Sequence, residues 1–158
     1  MGGARTAIVT GASQGIGAGV VKEFVERGYN VVATSRKVTQ STEVSASDHV
    51  ALVDGHIGEP ATAARIVETA LSRFKSIDAL VNNAGIFITK PFTDYTAEDL
   101  RSLVSTNIEG FLYVTQLSIK QMLAQKKGGS IVTITAALAS NPIRGVTAAV
   151  PMITQGRS

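Results

Sequence analysis

Eight residues near the amino terminus, Thr10-Gly11-Ala12-Ser13-Gln14-Gly15-Ile16-Gly17 (TGASQGIG), join a short apolar run to an amphipathic one. Glycine lets a backbone turn tightly and come close to a bound group. A turn that opens a helix also presents free N–H groups and the positive end of the helix dipole. The segment therefore predicts a turn that holds a dinucleotide pyrophosphate, while a tight strand-to-helix connection without a ligand remains the alternative.

Short apolar runs alternate with amphipathic stretches along the rest of the chain. Strands buried on both faces are predicted at Thr6–Thr10, Asn30–Thr34, Val50–Asp54, Asp78–Asn82 and Ser130–Thr135. Helices are predicted at Gly15–Arg27, at Glu59–Arg73 and from Thr96 to about Lys126, the last with a break near Asn107–Gly110. Lys37–His49 and Ala136–Val150 are predicted as connections without regular structure. Strands alternating with helices indicate an α/β fold with a parallel sheet.

Composition narrows the range of functions. The length of 158 residues suits one domain, residues 1–158, and the formal net charge of +3 is too small for a nucleic-acid-binding surface. No apolar run is long enough to span a membrane, and the first residues lack the features of a signal peptide. The sequence has no cysteine and only His49 and His56 as histidines, which argues against a metal site and fits a cytoplasmic protein.

The spacing TGxxxGxG resembles that of the short-chain dehydrogenase/reductase family, and three further motifs follow in the family's order. They are Asn82-Asn83-Ala84-Gly85, Asn107-Ile108-Glu109-Gly110 and Gly129-Ser130-Ile131-Val132. The resemblance covers nearly the whole chain. It implies a Rossmann-type, doubly wound parallel sheet between two helix layers, with strand order 3-2-1-4-5 and the cofactor crevice at the switch point of the sheet.

The resemblance also implies a role for individual residues. The set expected at the pyrophosphate is Gly11, Ser13, Gln14, Gly15, Ile16 and Gly17. The set expected along the ribose and the centre of the cofactor is Asn83, Ala84 and Gly85, and the pair expected at the adenine is His56 and Ile57. Asn107 is expected to widen a helix break and hold a proton-relay water. Local alternatives stay open, since Asn83 could tie strands together and Asn107 could cap a helix segment.

The end of the second strand bears on the choice of cofactor. Members that prefer NAD usually carry an acid there, whereas this chain has Thr34-Ser35-Arg36-Lys37. Ser35 and the guanidinium of Arg36 suit a 2′-phosphate, so NADP(H) is favoured over NAD(H). The alternative is that Arg36 is a solvated loop residue.

This sequence departs from the family pattern at the catalytic motif, YxxxK. Its best match places Pro151 at the tyrosine position and Gln155 at the lysine position, and Leu138 stands where the family has a serine. Proline has no proton to give, and glutamine carries no charge that could shift the pKa of a neighbour. Thr135 and Ser140 flank Leu138, which leaves Thr135 as a weak catalytic candidate, and Tyr95 is the tyrosine that could reach the pocket.

Three functions remain open from the sequence. The first is an NADP(H)-dependent oxidoreductase acting on a small-molecule carbonyl or alcohol, the second a catalytically inactive dinucleotide-binding module, and the third a truncated fragment without activity. The family continues after this point with a sixth and a seventh strand. Their absence from the sequence predicts an open sheet edge, bare helix faces near Phe111–Leu123 and a homo-oligomer.

Overall fold

A computed structural model describes residues 3–135 of the chain. Five parallel strands form one sheet in the order β3-β2-β1-β4-β5. They are β1 Thr6–Thr10, β2 Asn30–Ser35, β3 Val50–Asp54, β4 Ala79–Asn82 and β5 Ser130–Thr133. The predicted fold class and strand order are thereby confirmed. The long connection Ala136–Val150 lies outside the described residues.

Four α-helices connect these strands: α1 Gly15–Glu26, α2 Pro60–Thr69, α3 Ala97–Val104 and α4 Gly110–Gln125. Pro60 occupies the first turn of α2, where its missing N–H leaves no intrahelical bond unmade. Thr96 caps α3 by accepting the N–H of Asp99, whose carboxylate accepts the N–H of Thr96 in return. The predicted segments are therefore helical, with ends within a few residues of those expected.

The break predicted near Asn107–Gly110 lies where regular α-helix is interrupted, between the end of α3 and the start of α4. A π-helical turn, Ser105–Glu109, joins α3 to α4 without separating them. Hydrogen bonds in a π-helical turn span one residue more than those of an α-helix, so the backbone widens here and stays helical. Two glycines allow this turn to lie against the loop after β3. A Cβ on Gly58 would stand 2.2 Å from Ser105 Oγ, and one on Gly110 would stand 2.4 Å from Ile57 Cγ2.

Two apolar layers cover the two faces of the sheet. Successive residues of β1 point to opposite faces, so Ile8 packs with α2 and α4 while Val9 packs with α1. Val38 and Val44, from the connection between β2 and β3, are buried in the same layer as α1. This connection is irregular apart from a 3₁₀ turn at Val38–Gln40, as expected of a polar segment.

Within the described residues β5 is an edge strand of the sheet. Among the described residues β5 pairs with β4 alone; it ends at Thr133, two residues before the predicted end, and the N–H of Ile134 still donates to the Asn82 carbonyl at 2.9 Å. All four residues of β5 are exposed, so the prediction of a strand buried on both faces is wrong here, because no described element covers this edge of the sheet. Large apolar side chains are exposed on the neighbouring helix α4: Phe111, Leu112, Ile119 and Leu123. No helix within residues 3–135 is long and apolar enough to cross a membrane.

The cap of α3 makes stability depend on pH. The ion pair with Lys90, together with the hydrogen bonds from Thr96, lowers the pKa of Asp99 from its ordinary 3.8 to about 2. The depressed pKa stabilises the fold above pH 3.8, and this contribution is lost as the pH falls towards 2. We expect Asp99→Asn to lower the thermal midpoint at pH 7 and the difference from wild type to shrink below pH 4. A difference that stays constant down to pH 2 would contradict this account.

Candidate cofactor-binding site

A cleft of about 340 Å³ lies at the carboxyl ends of the strands, where β1 has β2 on one side and β4 on the other. Nine of the thirteen residues predicted to bind a cofactor line it, and the other four, Gly15, Ile16, Gly17 and Asn83, belong to the same turn and loop. The described lining consists of Gly11, Ser13, Gln14, Thr34, Ser35, Arg36, Gly55, His56, Ile57, Ala84, Gly85, Ile86, Ser102 and Thr106.

The glycine-rich turn has the geometry that an anion requires. Gly11 and Gly15 adopt φ values of +65° and +58°, which residues with a side chain rarely adopt. A Cβ on Gly11 would lie 2.8 Å from the Cα of Ala84, so the turn approaches the end of β4 closely. A Cβ on Gly15 would meet no described atom within 4 Å, and the N–H of Gly15 donates to Oε2 of Glu43 at 3.3 Å. The turn therefore fits a phosphate group at the start of this helix.

Asn83 holds this turn in place. Its side-chain amide donates to the carbonyl oxygens of Thr10 and Gly11, each at 3.1 Å. The hydroxyl of Thr10 in turn accepts the backbone N–H groups of Asn83 and Ala84, each at 3.0 Å. The structure thus shows the tie between the ends of β1 and β4 that the sequence left open as an alternative. Ala84 and Gly85, rather than the Asn83 side chain, form the wall of the cleft.

Asn107 secures the other end of the same loop. Its Oδ1 accepts the N–H of Ile86 at 2.8 Å and its Nδ2 donates to the Ile86 carbonyl at 3.0 Å. This paired contact fixes the loop after β4 against the π-helical turn. The proton-relay role of Asn107 stays a prediction. Thr135 is exposed and lies two residues beyond the end of β5, and its catalytic role also stays a prediction.

The end of β2 presents positive charge to the cleft. Ser35 and Arg36 both line it, and the Arg36 guanidinium has no hydrogen-bond or ion-pair partner among residues 3–135. No acid belongs to the described lining. Asp54, at the end of the adjacent strand, bonds the hydroxyl and the N–H of Thr39 instead, and these bonds lower the pKa of its carboxyl. The charge around Arg36 therefore favours an anionic ligand.

The far wall of the cleft contains side chains that sequence reasoning missed. Ser102 and Thr106 line it from α3 and the π-helical turn, and their spacing of four residues was the available signal. On the loop after β3, the Nδ1 of His56 accepts the N–H of Gly58 at 3.2 Å. Tyr95 lies outside the lining and donates its hydroxyl to the Ile88 carbonyl.

The catalytic motif of the family cannot be placed on this geometry, because Pro151, Gln155, Leu138 and Ser140 lie outside the described residues. What the described part provides is a parallel sheet with a glycine-rich turn and a helix start at its switch point. This arrangement defines an α/β fold of the Rossmann class.

Comparison with known proteins identifies the family within that class. The family model described as short chain dehydrogenase matches residues 5–148, and the chain belongs to this family. The NADP-dependent (R)-specific alcohol dehydrogenase of Lentilactobacillus kefiri is 32% identical over 134 residues, covering 82% of this chain and 53% of that enzyme. The L-rhamnose-1-dehydrogenase of Scheffersomyces stipitis is 30% identical over 139 residues, covering 82% and 54%.

A solved structure shows the same architecture. The ligand-free aldohexose dehydrogenase of Thermoplasma acidophilum superposes with a TM-score of 0.82 at 26% identity, covering 94% of this chain and 56% of that one. This chain thus spans about half the length of these relatives. The family match includes the glycine-rich turn and all residues that line the cleft.

Proposed function

We propose that this chain binds NADP(H) in the cleft and serves an oxidoreductase that acts on a carbonyl or hydroxyl group of a small molecule. The observation that carries the proposal is the guanidinium of Arg36, which has no partner among residues 3–135 and lines the cleft where the described residues contribute no acid. The relative from Lentilactobacillus kefiri is described as NADP-dependent, which supports the same cofactor.

Each part of the cleft has a role in this proposal. The turn at Gly11–Gly17 and the start of α1 bind the diphosphate, and Ser35 with Arg36 binds the 2′-phosphate. Ala84 and Gly85 lie along the ribose, and His56 with Ile57 contacts the adenine. Bound NADP(H) supplies or accepts the hydride. Asn107 holds the loop that carries Ile86 and so maintains the wall of the cleft.

Turnover depends on a proton donor. The sequence has Pro151 and Gln155 at the positions of the family's tyrosine and lysine, and neither side chain can donate that proton as an acid. General acid catalysis contributes about 10²–10⁴-fold, so we expect slow oxidation of NADPH by this chain with a panel of carbonyl compounds. Tight NADPH binding without any turnover would instead indicate a dinucleotide-binding module without catalytic activity.

Two further properties belong to the proposal. The exposed apolar residues of α4, including Leu123 at 73% exposure, support a homo-oligomer formed through this helix. Light scattering of the purified protein tests this assembly, and a monomer at all concentrations would contradict it.

The cytoplasmic location expected from the sequence stays a prediction, for which cell fractionation is the test.

The Arg36→Ala variant tests the choice of cofactor. A charge-assisted hydrogen bond to a phosphate contributes about 1.5–3 kcal/mol, so we expect the NADPH dissociation constant to rise about 10- to 100-fold while that of NADH stays unchanged. Calorimetric titration with both cofactors measures the two constants. Lys37→Ala is the matched control, because Lys37 is the next residue and does not line the cleft. Equal weakening of both cofactors in Arg36→Ala, or no binding of either by wild type, would contradict the proposal.

A further inference from the structure

The connection between β2 and β3 runs back to the glycine-rich turn and is fastened there. The hydroxyl of Ser41 donates to the carbonyl of Ser13 at 2.6 Å and accepts the N–H groups of Glu43 and Val44, each at 3.1 Å. Val44 is only 5% exposed and packs in the apolar layer that α1 covers. Glu43 is therefore flanked by two anchored residues, which bring it to the start of α1.

Glu43 places a negative charge at the end of this helix. Its Oε2 accepts the N–H of Gly15, the first residue of α1, at 3.3 Å. Within the described part of the chain the helix has no other cap of this kind, since the side chain of Gln14 makes no capping bond and the first turn contains no acid. A carboxylate in this position interacts favourably with the free N–H groups and the helix dipole. Glu43 thus binds the N–H of Gly15 at the start of α1, which is where the proposed function places the diphosphate.

We propose that the Glu43 carboxylate occupies the diphosphate position in the free protein and must be displaced when the cofactor binds. This inference rests on the proposed function, because it assumes that the diphosphate lies at the start of α1. Gly15 has one N–H, and two like charges a few ångströms apart repel each other. Glu43 itself is exposed, so its carboxylate can turn into water without losing a buried contact. The contact is autoinhibitory, because it stabilises the free protein and opposes the bound state.

Removal of this charge has opposite effects on stability and on affinity. Glu43→Gln weakens the interaction with the helix start, so the thermal midpoint of the free protein decreases. The same change removes the charge that opposes an incoming diphosphate, so NADPH and inorganic pyrophosphate bind about three- to tenfold more tightly at low salt. The gain in affinity falls as the salt concentration rises, because the charges are exposed. A residue with a merely structural role would lower stability and leave affinity unchanged or weaker.

The experiment compares wild type, Glu43→Gln and the control Glu68→Gln by thermal unfolding and by calorimetric titration with pyrophosphate and with NADPH. Glu68 is an exposed acid on α2 outside the cleft, so its removal changes the net charge equally. We expect Glu43→Gln to unfold at a lower temperature than wild type without ligand, and this deficit to shrink or reverse with saturating pyrophosphate. An equal deficit with and without pyrophosphate, or the same gain in affinity in Glu68→Gln, would overturn the inference.

The two probes separate this inference from the proposed function. If pyrophosphate binds more tightly to Glu43→Gln while NADPH binds to neither protein, the displacement of Glu43 stands and the proposed cofactor is wrong. If NADPH binds to wild type and no more tightly to Glu43→Gln, the cofactor stands and the inference is wrong. If neither probe binds to either protein, both are wrong.

Discussion

Gly17→Ala is expected to abolish NADPH binding and to lower the free energy of unfolding by about 2–4 kcal/mol. A Cβ at this position would lie 2.2 Å from the carbonyl oxygen of Gly11 and 2.7 Å from Nδ2 of Asn83. The oxygen belongs to the backbone of the turn and the amide holds that turn, so neither can move without changing the shape of the cleft. Urea unfolding measures the loss of stability, and calorimetric titration measures the loss of binding.

Gly19→Ala is the control for this variant. Gly19 lies two residues further along α1, and a Cβ there would meet no atom within 4 Å. Alanine is favoured over glycine inside a helix by about 0.5–1 kcal/mol, so this variant should be slightly more stable than wild type and bind NADPH normally. If Gly17→Ala behaved like Gly19→Ala, the close packing of the turn described above would be incorrect.

Asn83→Asp is expected to destabilise the protein by about 2–4 kcal/mol at pH 7, although the two side chains have nearly the same shape. The amide of Asn83 donates to two carbonyl oxygens, those of Thr10 and Gly11. A carboxylate would place negative charge against both oxygens and would have no proton to donate. Urea unfolding at pH 7 measures the difference from wild type.

The Asn83→Ala variant provides the comparison. It removes the two donors and adds no charge, so it should be less destabilising than Asn83→Asp at pH 7. The gap between the two variants should narrow as the pH is lowered and the new aspartate takes up a proton. An aspartate variant as stable as the alanine variant at pH 7 would show that the two hydrogen bonds of the amide contribute little.

The elements and their order could be predicted because the sequence encodes them locally. Continuous apolar runs such as Val50–Asp54 predict buried strands, and the turn at Thr10–Gly17 predicts the switch point. The width of the helical turn around Asn107 could not be predicted, since asparagine and glycine occur in broken helices and in π-helical turns alike. The structure shows that Gly110 gives room to Ile57 and that the helix continues.

The sequence indicated which segments meet at the cleft but not the contacts that their side chains make. The motif around Asn83 correctly indicated the end of β4 but not the direction of its side chain, which depends on the carbonyl groups of another strand. Glu43 and Gly15 are 28 residues apart, and their contact depends on how the connection after β2 packs. Such a contact follows from the burial of Val44, and no local pattern reveals it.

The two amide side chains that hold the loop after β4 have a thermodynamic consequence. Asn83 fixes the start of the loop to the end of β1, and Asn107 fixes Ile86 to the π-helical turn. The backbone between them, Ala84–Ile86, is thus ordered before any ligand arrives, and the entropy of ordering it is lost when the chain folds. Because this wall of the cleft is already ordered, a ligand that binds against it loses less conformational entropy than one that must order the loop on binding.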